Sequence, residues 1–205
     1  WDDRIDGSQI DVKVKGNKVI LRGSVPDYDG RKAAEISTFA VYGVHDVENK
    51  LTVKFPEGYS PPKDEEIQAH IQDSLDKNVT IDKTDLEIII QNGHVTLEGD
   101  VDSYWKKERV EQIASGIGGV VDVTNNIAIV PTDDVIDEEI AEGIVEALRR
   151  DTTTIAEDID VEVRDGIVIL RGEVPGWVSY SSAVNIAKRT AGVKGVKDDI
   201  KIETI

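Results

Sequence analysis

Apolar residues along this chain switch between two periods. From residue 64 onward Ile67, Ile71 and Leu75 recur every four residues, which marks one face of a helix, and Asp64 stands at its start as an N-cap candidate. Two alternating stretches follow, Leu86-Glu-Ile-Ile-Ile-Gln and His94-Val-Thr-Leu-Glu, joined by Asn92-Gly93. Asn-Gly between alternating runs predicts a two-residue hairpin, because both turn positions tolerate positive φ. Gly99 then ends the second strand where the backbone turns toward another helix, which Ser103 is placed to cap. Inside that helix Val110, Ile113, Ala114 and Ile117 form a narrow stripe, and Gly119 reads as a left-handed stop. A last alternating strand, Val121 to Val130, completes the order helix, strand, strand, helix, strand.

The same pattern occurs three times. Lys18-Val-Ile-Leu-Arg-Gly23, His94-Val-Thr-Leu-Glu-Gly99 and Ile167-Val-Ile-Leu-Arg-Gly172 are spaced by 76 and 73 residues, and the second offset carries residues 64–130 onto 137–203 without a gap. Asp137, Ile140, Ile144 and Leu148 repeat the first helix, Asp165-Gly166 repeats the turn, and Ala183, Ile186, Ala187 and Thr190 repeat the stripe. Gly43 and Gly192 take the place of Gly119, and Asp27 that of Ser103. Self-similarity at a fixed period fixes the architecture before any single residue is read. It predicts an α+β chain of three tandem two-layer modules, each a three-stranded sheet with two helices on one face. The boundaries are 1–53, a linker at 54–63, 64–130, a linker at 131–136, and 137–205.

The first copy is shorter. By the 76-residue offset Trp1 falls at the position of Lys77, so the first module lacks its N-terminal helix, and residues upstream of Trp1 are expected to form it. Without that helix, an apolar sheet face stands open or borrows cover from elsewhere.

The formal charge of −17 changes the picture of partners, because its field repels nucleic acid and anionic membrane surfaces. It is unevenly spread: residues 1–53 carry −1, residues 64–130 carry −9 and residues 137–203 carry −6. The absence of cysteine excludes disulfides, thiolate metal sites and thiol nucleophiles. No apolar run approaches the roughly 18 residues of a membrane span. His45, His70 and His94 lie at non-equivalent positions of the repeat, and no nucleophile elbow, paired-histidine zinc motif or phosphate loop occurs. Asp27-Tyr-Asp29-Gly30 lacks the further ligands of a calcium loop. Neither a catalytic set nor a metal or cofactor site is expected.

The glycine after Val-x-Leu-x, the alanine-bearing helix and the closing Gly-Val-x-x-Val-x-Asn/Asp are the residues on which this chain resembles the BON domain family of bacterial proteins. They are Gly23, Gly99 and Gly172, Gly43, Gly119 and Gly192, Val47, Val123 and Val196, and Asn49, Asn125 and Asp198. The resemblance spans residues 11–53, 64–130 and 137–203. It implies a helix-strand-strand-helix-strand module without enzymatic activity, and a role in binding phospholipid or an envelope partner, often in the periplasm and linked to osmotic stress. It also leaves open two alternatives: a soluble chaperone-like stress protein, and a cytosolic module that responds to a cation.

The candidate contact residues are the departures from the repeat. Tyr28, Tyr104 and Trp177 occupy one equivalent position, and Trp105 and Tyr180 lie close by. Tyr104 and Trp105 beside Lys106, Lys107 and Arg109, together with Trp177 and Tyr180, have the chemistry of a lipid interface, rings at headgroup depth with cations toward phosphate. The competing reading is that these rings pack across sheet edges or between modules. The six motif glycines read as structural, and the acidic starts Asp64-Glu65-Glu66 and Asp137-Glu138-Glu139 as complements to a helix dipole.

Overall fold

A hairpin and a crossover build each sheet. In the first module β1 (Ile10–Lys15) and β2 (Lys18–Val25) pair antiparallel, α1 (Tyr28–Phe39) crosses over, and β3 (Asp46–Val53) pairs parallel to β2. The second adds α2 (Asp64–Asp76) ahead of β4 (Leu86–Gln91), β5 (His94–Val101), α3 (Tyr104–Ser115), β6 (Asp122–Asn125) and β7 (Ala128–Ile129). The third has α4 (Asp137–Arg150), β8 (Ile159–Arg164), β9 (Ile167–Val174), α5 (Trp177–Arg189) and β10 (Gly195–Ile202). The second hairpin strand is central in every sheet, with its antiparallel partner on one side and its parallel partner on the other. A parallel neighbour demands a long connection, and α1, α3 and α5 supply it. This computed structural model describes residues 7–41, 43–44, 46–79, 81, 85–132, 135–154 and 158–203; Trp1 and His45 lie outside them. The residues group into two compact units, one of Trp1–Asp100 with Glu108–Ala128 and one of Val101–Lys107 with Ile129–Ile205.

The turns follow their chemistry. Asn92 and Gly93 have φ of 52° and 76°, and Asp165 and Gly166 have φ of 53° and 78°, the two successive positive values of a type I′ hairpin. Asp64, however, is not the N-cap of α2. Lys63 occupies that position, and the Asp64 carboxylate instead accepts the backbone N–H of Asn92 at 2.7 Å and of Gly93 at 2.9 Å. Asp137 does the same for Asp165 and Gly166, at 2.7 and 2.8 Å. One acid therefore ties the start of the first helix to the hairpin tip, and it satisfies two turn donors with charge-assisted bonds.

Gly99 also differs from its expected place. It lies within β5, paired with Leu86, and the strand runs on to Val101. The reason is a close approach: at φ 110° a Cβ on Gly99 would overlap the carbonyl oxygen of Asp85. Gly23 and Gly172 stand in the same relation to Gln9 and Asp158. These glycines admit the chain entering the first strand.

The last strand of the second module is broken, where continuous alternation predicts one element from Val121 to Val130. Asn126 N–H still reaches the Leu97 carbonyl at 2.8 Å, but the Asn125 side chain accepts Ile127 N–H at 3.2 Å and turns Ile127 inward to 1% exposure. The same bond, from Leu51 N–H to Asn49 at 3.1 Å, occurs within unbroken β3, so it shapes the strand without by itself ending it.

Both helices of the complete modules cover one sheet face. Ile140, Ile144 and Leu148 of α4 and Ala183, Val184 and Ala187 of α5 close over Val168, Leu170 and Val174. In α2, Ile67, Ile71 and Leu75 are 1%, 0% and 2% exposed. The opposite face carries cross-strand ion pairs: Lys18 reaches Asp46 at 3.0 Å and Glu48 at 3.2 Å, and Arg171 reaches Glu162 at 2.8 Å. In the first and third modules the outer sheet face thus carries paired charged side chains. Among the described residues no helix is long and apolar enough to cross a membrane, and no cluster of three metal-ligating side chains occurs.

Replacing Gly99 with alanine should cost about 3 kcal/mol, since both the positive φ and the Asp85 carbonyl oppose a side chain. Urea unfolding followed by far-UV circular dichroism measures it, against Gly16→Ala, where φ is positive but no atom lies within 4 Å of the added carbon. Asp64→Ala, which strands two turn N–H groups, should lower stability by about 1–2 kcal/mol in the same assay.

Candidate functional site

The position shared by Tyr28, Tyr104 and Trp177 begins α1, α3 and α5, where the chain leaves the central strand and the first turn projects from the sheet. Its three occupants meet different surroundings. Tyr28 is 7% exposed, with the Arg31 and Lys32 side chains over its ring at 5.6 and 5.9 Å. Those two cations continue to acids of the second module, Arg31 to Asp122 at 2.8 Å and Lys32 to Glu111. Burial raises the Tyr28 pKa, and the positive neighbour Lys32 opposes that rise. This aromatic position thus lies at the joint between the first two modules, inside the first compact unit.

Glu111 has a second task. Its carboxylate also accepts the Asn125 side-chain amide at 3.1 Å, as Glu35 accepts that of Asn49 at 3.0 Å. The motif asparagines therefore hold the closing strand to the crossover helix while shaping the strand itself. In the third module valine replaces the glutamate, at Val184, and the pairing is exchanged: Tyr180 donates its hydroxyl to Asp198 at 2.8 Å.

In the second unit Tyr104, Trp177 and Tyr180 line one recess of about 330 Å³ with Val184, Lys188 and Asp198. Trp177 and Tyr180 stack with centroids 4.9 Å apart, and Lys188 Nζ lies 5.8 Å from the centre of the Tyr104 ring. Tyr104 also packs on the apolar core of the third module. Next to Trp177, Val178 is 67% exposed. The recess thus joins half-buried aromatic faces, one ammonium group, one carboxylate and an outward apolar side chain, which equips it for binding an amphipathic group by stacking and charge.

Three of the sequence candidates come together here, Tyr104, Trp177 and Tyr180; the others do not line the recess. Trp105 is partly buried beneath the Lys106 side chain, whose Nζ lies 5.7 Å from the ring centre and bonds Asp102 at 2.6 Å. That bond to Lys106 holds the Asp102 carboxyl below its ordinary range. Lys107 is partly buried, and Arg109 is exposed and donates to Gln112 at 2.7 Å along its own helix. Lys188 was not among the candidates, although a signal existed: Tyr180, Val184 and Lys188 are spaced by four and share one face of α5. Of the glycines, Gly43, Gly119 and Gly192 all take positive φ just past the crossover helices, whereas Gly23, Gly99 and Gly172 serve the strand approach described above.

Burial first, and then the hydrogen bond to Asp198, raises the Tyr180 pKa. The folded state consequently keeps its proton at a pH where an unfolded tyrosine has lost it. The associated stability is complete below about pH 10 and declines as pH rises beyond it. Tyr180→Phe should therefore melt lower than the parent chain at about pH 9, and this gap should narrow as pH rises to about 11, as thermal melts across that range would record.

Comparison with known proteins places this geometry in a family. The BON domain profile matches residues 1–54, 63–131 and 136–204. Osmotically-inducible protein Y of Escherichia coli is 31% identical over 152 residues, which cover 67% of this chain and 72% of that protein. The outer membrane lipoprotein DolP of Haemophilus influenzae is 31% identical over 104 residues, covering 50% of this chain and 53% of that protein. CdsD, a structural protein of the type III secretion system of Chlamydia trachomatis, aligns over 96% of this chain and 86% of its own at 12% identity with a TM-score of 0.30, too loose a superposition to bear on the fold. The profile matches three successive segments that together span nearly the whole chain, and this chain is therefore a member of the BON domain family.

Proposed function

We propose that this protein is a non-enzymatic binding protein of the bacterial cell envelope, and that it contacts phospholipid through the recess formed by Tyr104, Trp177 and Tyr180. The observation that carries the reading is the juxtaposition of stacked Trp177 and Tyr180 with Lys188 and the exposed Val178. Aromatic rings with one polar edge reside at headgroup depth, an ammonium group pairs with phosphate, and a bare valine beside them faces the acyl boundary. Kinship with an outer membrane lipoprotein supports the envelope as the setting, and kinship with an osmotically inducible protein supports a link to osmotic stress.

Charge selects among lipids. With −17 over the chain and Asp198 at the recess, an anionic bilayer is repelled at low salt, whereas a zwitterionic headgroup offers phosphate to Lys188 without a net field. Co-sedimentation with phosphatidylethanolamine–phosphatidylcholine vesicles should retain the chain, and Val178→Asp or Trp177→Ala should reduce the bound fraction by about tenfold. Pure phosphatidylglycerol vesicles should bind less at low ionic strength. Failure of both vesicle types to retain the parent chain excludes the lipid reading and leaves an envelope protein as the partner class.

A further inference from the structure

Three positions of the third module change together relative to their counterparts, and all three border the aromatic recess. Where the first two modules have a cation, Arg31 and Lys107, the third has Tyr180. The closing-strand asparagine, Asn49 and Asn125, is replaced by Asp198, and the glutamate that accepts its amide, Glu35 and Glu111, by Val184. A cation and a bound amide thus give way to an aromatic face and an exposed carboxylate, one oxygen of which accepts the Tyr180 hydroxyl at 2.8 Å. Each exchange makes this spot more hospitable to a positive group.

The apolar part of the recess says which positive group. Trp177 stacks on Tyr180, Tyr104 adds a third ring, and Val184 supplies alkyl surface. An ammonium that carries N–H groups needs an acceptor for each of them when it leaves water, whereas a quaternary ammonium has none to satisfy and rests its methyl groups on ring faces beside a carboxylate. The Tyr104 ring already has a cation near it, since Lys188 Nζ lies 5.8 Å from its centre. That ammonium supplies the opposite half of the recognition, a partner for an anion. One carboxylate and one ammonium within about 330 Å³ match the two charges of a zwitterion.

We infer that the ligand of this recess is a quaternary-ammonium zwitterion, its methylated end against Trp177, Tyr180 and Asp198 and its anionic end at Lys188; this assignment rests on the recess being the binding surface proposed above. A choline headgroup and a free solute such as glycine betaine share that chemistry. Contacts of this kind are individually weak at a half-open surface, so the affinity is modest and the discrimination lies in the methyl groups.

The test is a nuclear magnetic resonance titration of the isotope-labelled 205-residue chain with phosphocholine and with glycine betaine, following the Trp177 indole and the Lys188 and Asp198 amides. Saturable binding at about millimolar concentration is expected, and phosphoethanolamine and glycine, which keep both charges without the methyl groups, should bind about fivefold more weakly or worse. Asp198→Asn restores the residue of the sister modules, so its melting should match that of the parent chain while its affinity falls about fivefold; Trp177→Ala should weaken binding at least as much. Saturation by phosphocholine, with release of the chain from phosphatidylcholine vesicles by the free compound, assigns a lipid headgroup. Saturation by glycine betaine without vesicle retention assigns a free solute, which keeps this inference and ends the lipid reading. Vesicle retention with no response to either zwitterion does the reverse. Equal binding of the unmethylated compounds, shifts confined to residues outside the recess, or an Asp198→Asn chain that binds as tightly as the parent also overturns the inference.

Discussion

Each sheet in this protein has one face that has to be covered, and the first helix of the complete modules is what covers it. Three branched or γ-branched side chains per helix leave water over the central strand, an effect worth about 1.5–3 kcal/mol for each residue fully buried. In units this small that is a large share of total stability. The carboxylate of Asp64 or Asp137 fixes where the helix starts relative to the hairpin, and Gly119 or Gly192 fixes how closely it settles. Position along the strand and distance from the sheet are thus set by two separate contacts, one polar and one steric.

Everything else in the module is arranged around that closed face. The crossover helix presents alanines where it lies against the sheet, Ala114, Ala183 and Ala187 each 0% exposed, so that two helices share one small sheet. Glycines inside β2, β5 and β9 let the chain entering the first strand pass within contact of the central one. The outer face is left to charged side chains, whose exposed pairs contribute little to stability but keep the edge strands from pairing with other chains.

The copies diverge at positions that are the same in the repeat and different in their neighbours. The residue that begins the crossover helix is aromatic in all three copies, yet Tyr28 is sealed by Arg31 and Lys32 bound to acids, while Tyr104 and Trp177 meet in one recess. Exchange of a glutamate for Val184 frees Asp198 to accept from Tyr180, and this turns a strand-to-helix tie into part of the recess wall. Small substitutions on a fixed scaffold therefore suffice to make one copy a joint and to leave another with the aromatic recess proposed above as a binding surface.

The α+β repeat and its element order are legible in the residue pattern, because periods of two and of about four arise from local geometry and recur in register. The Asn-Gly and Asp-Gly turns are legible for the same reason: positive φ is a property of the residue. Three things were settled only by tertiary contact. Asp64 caps a distant turn instead of its own helix, since two stranded N–H groups come within reach of it only after the hairpin folds back. Gly99 lies within a strand because of the Asp85 carbonyl, which is remote in sequence and adjacent in space. The aromatic recess gathers Tyr104 with Trp177, Tyr180 and Lys188 from helices far apart along the chain, and sequence spacing on one helix cannot specify which face another helix will meet.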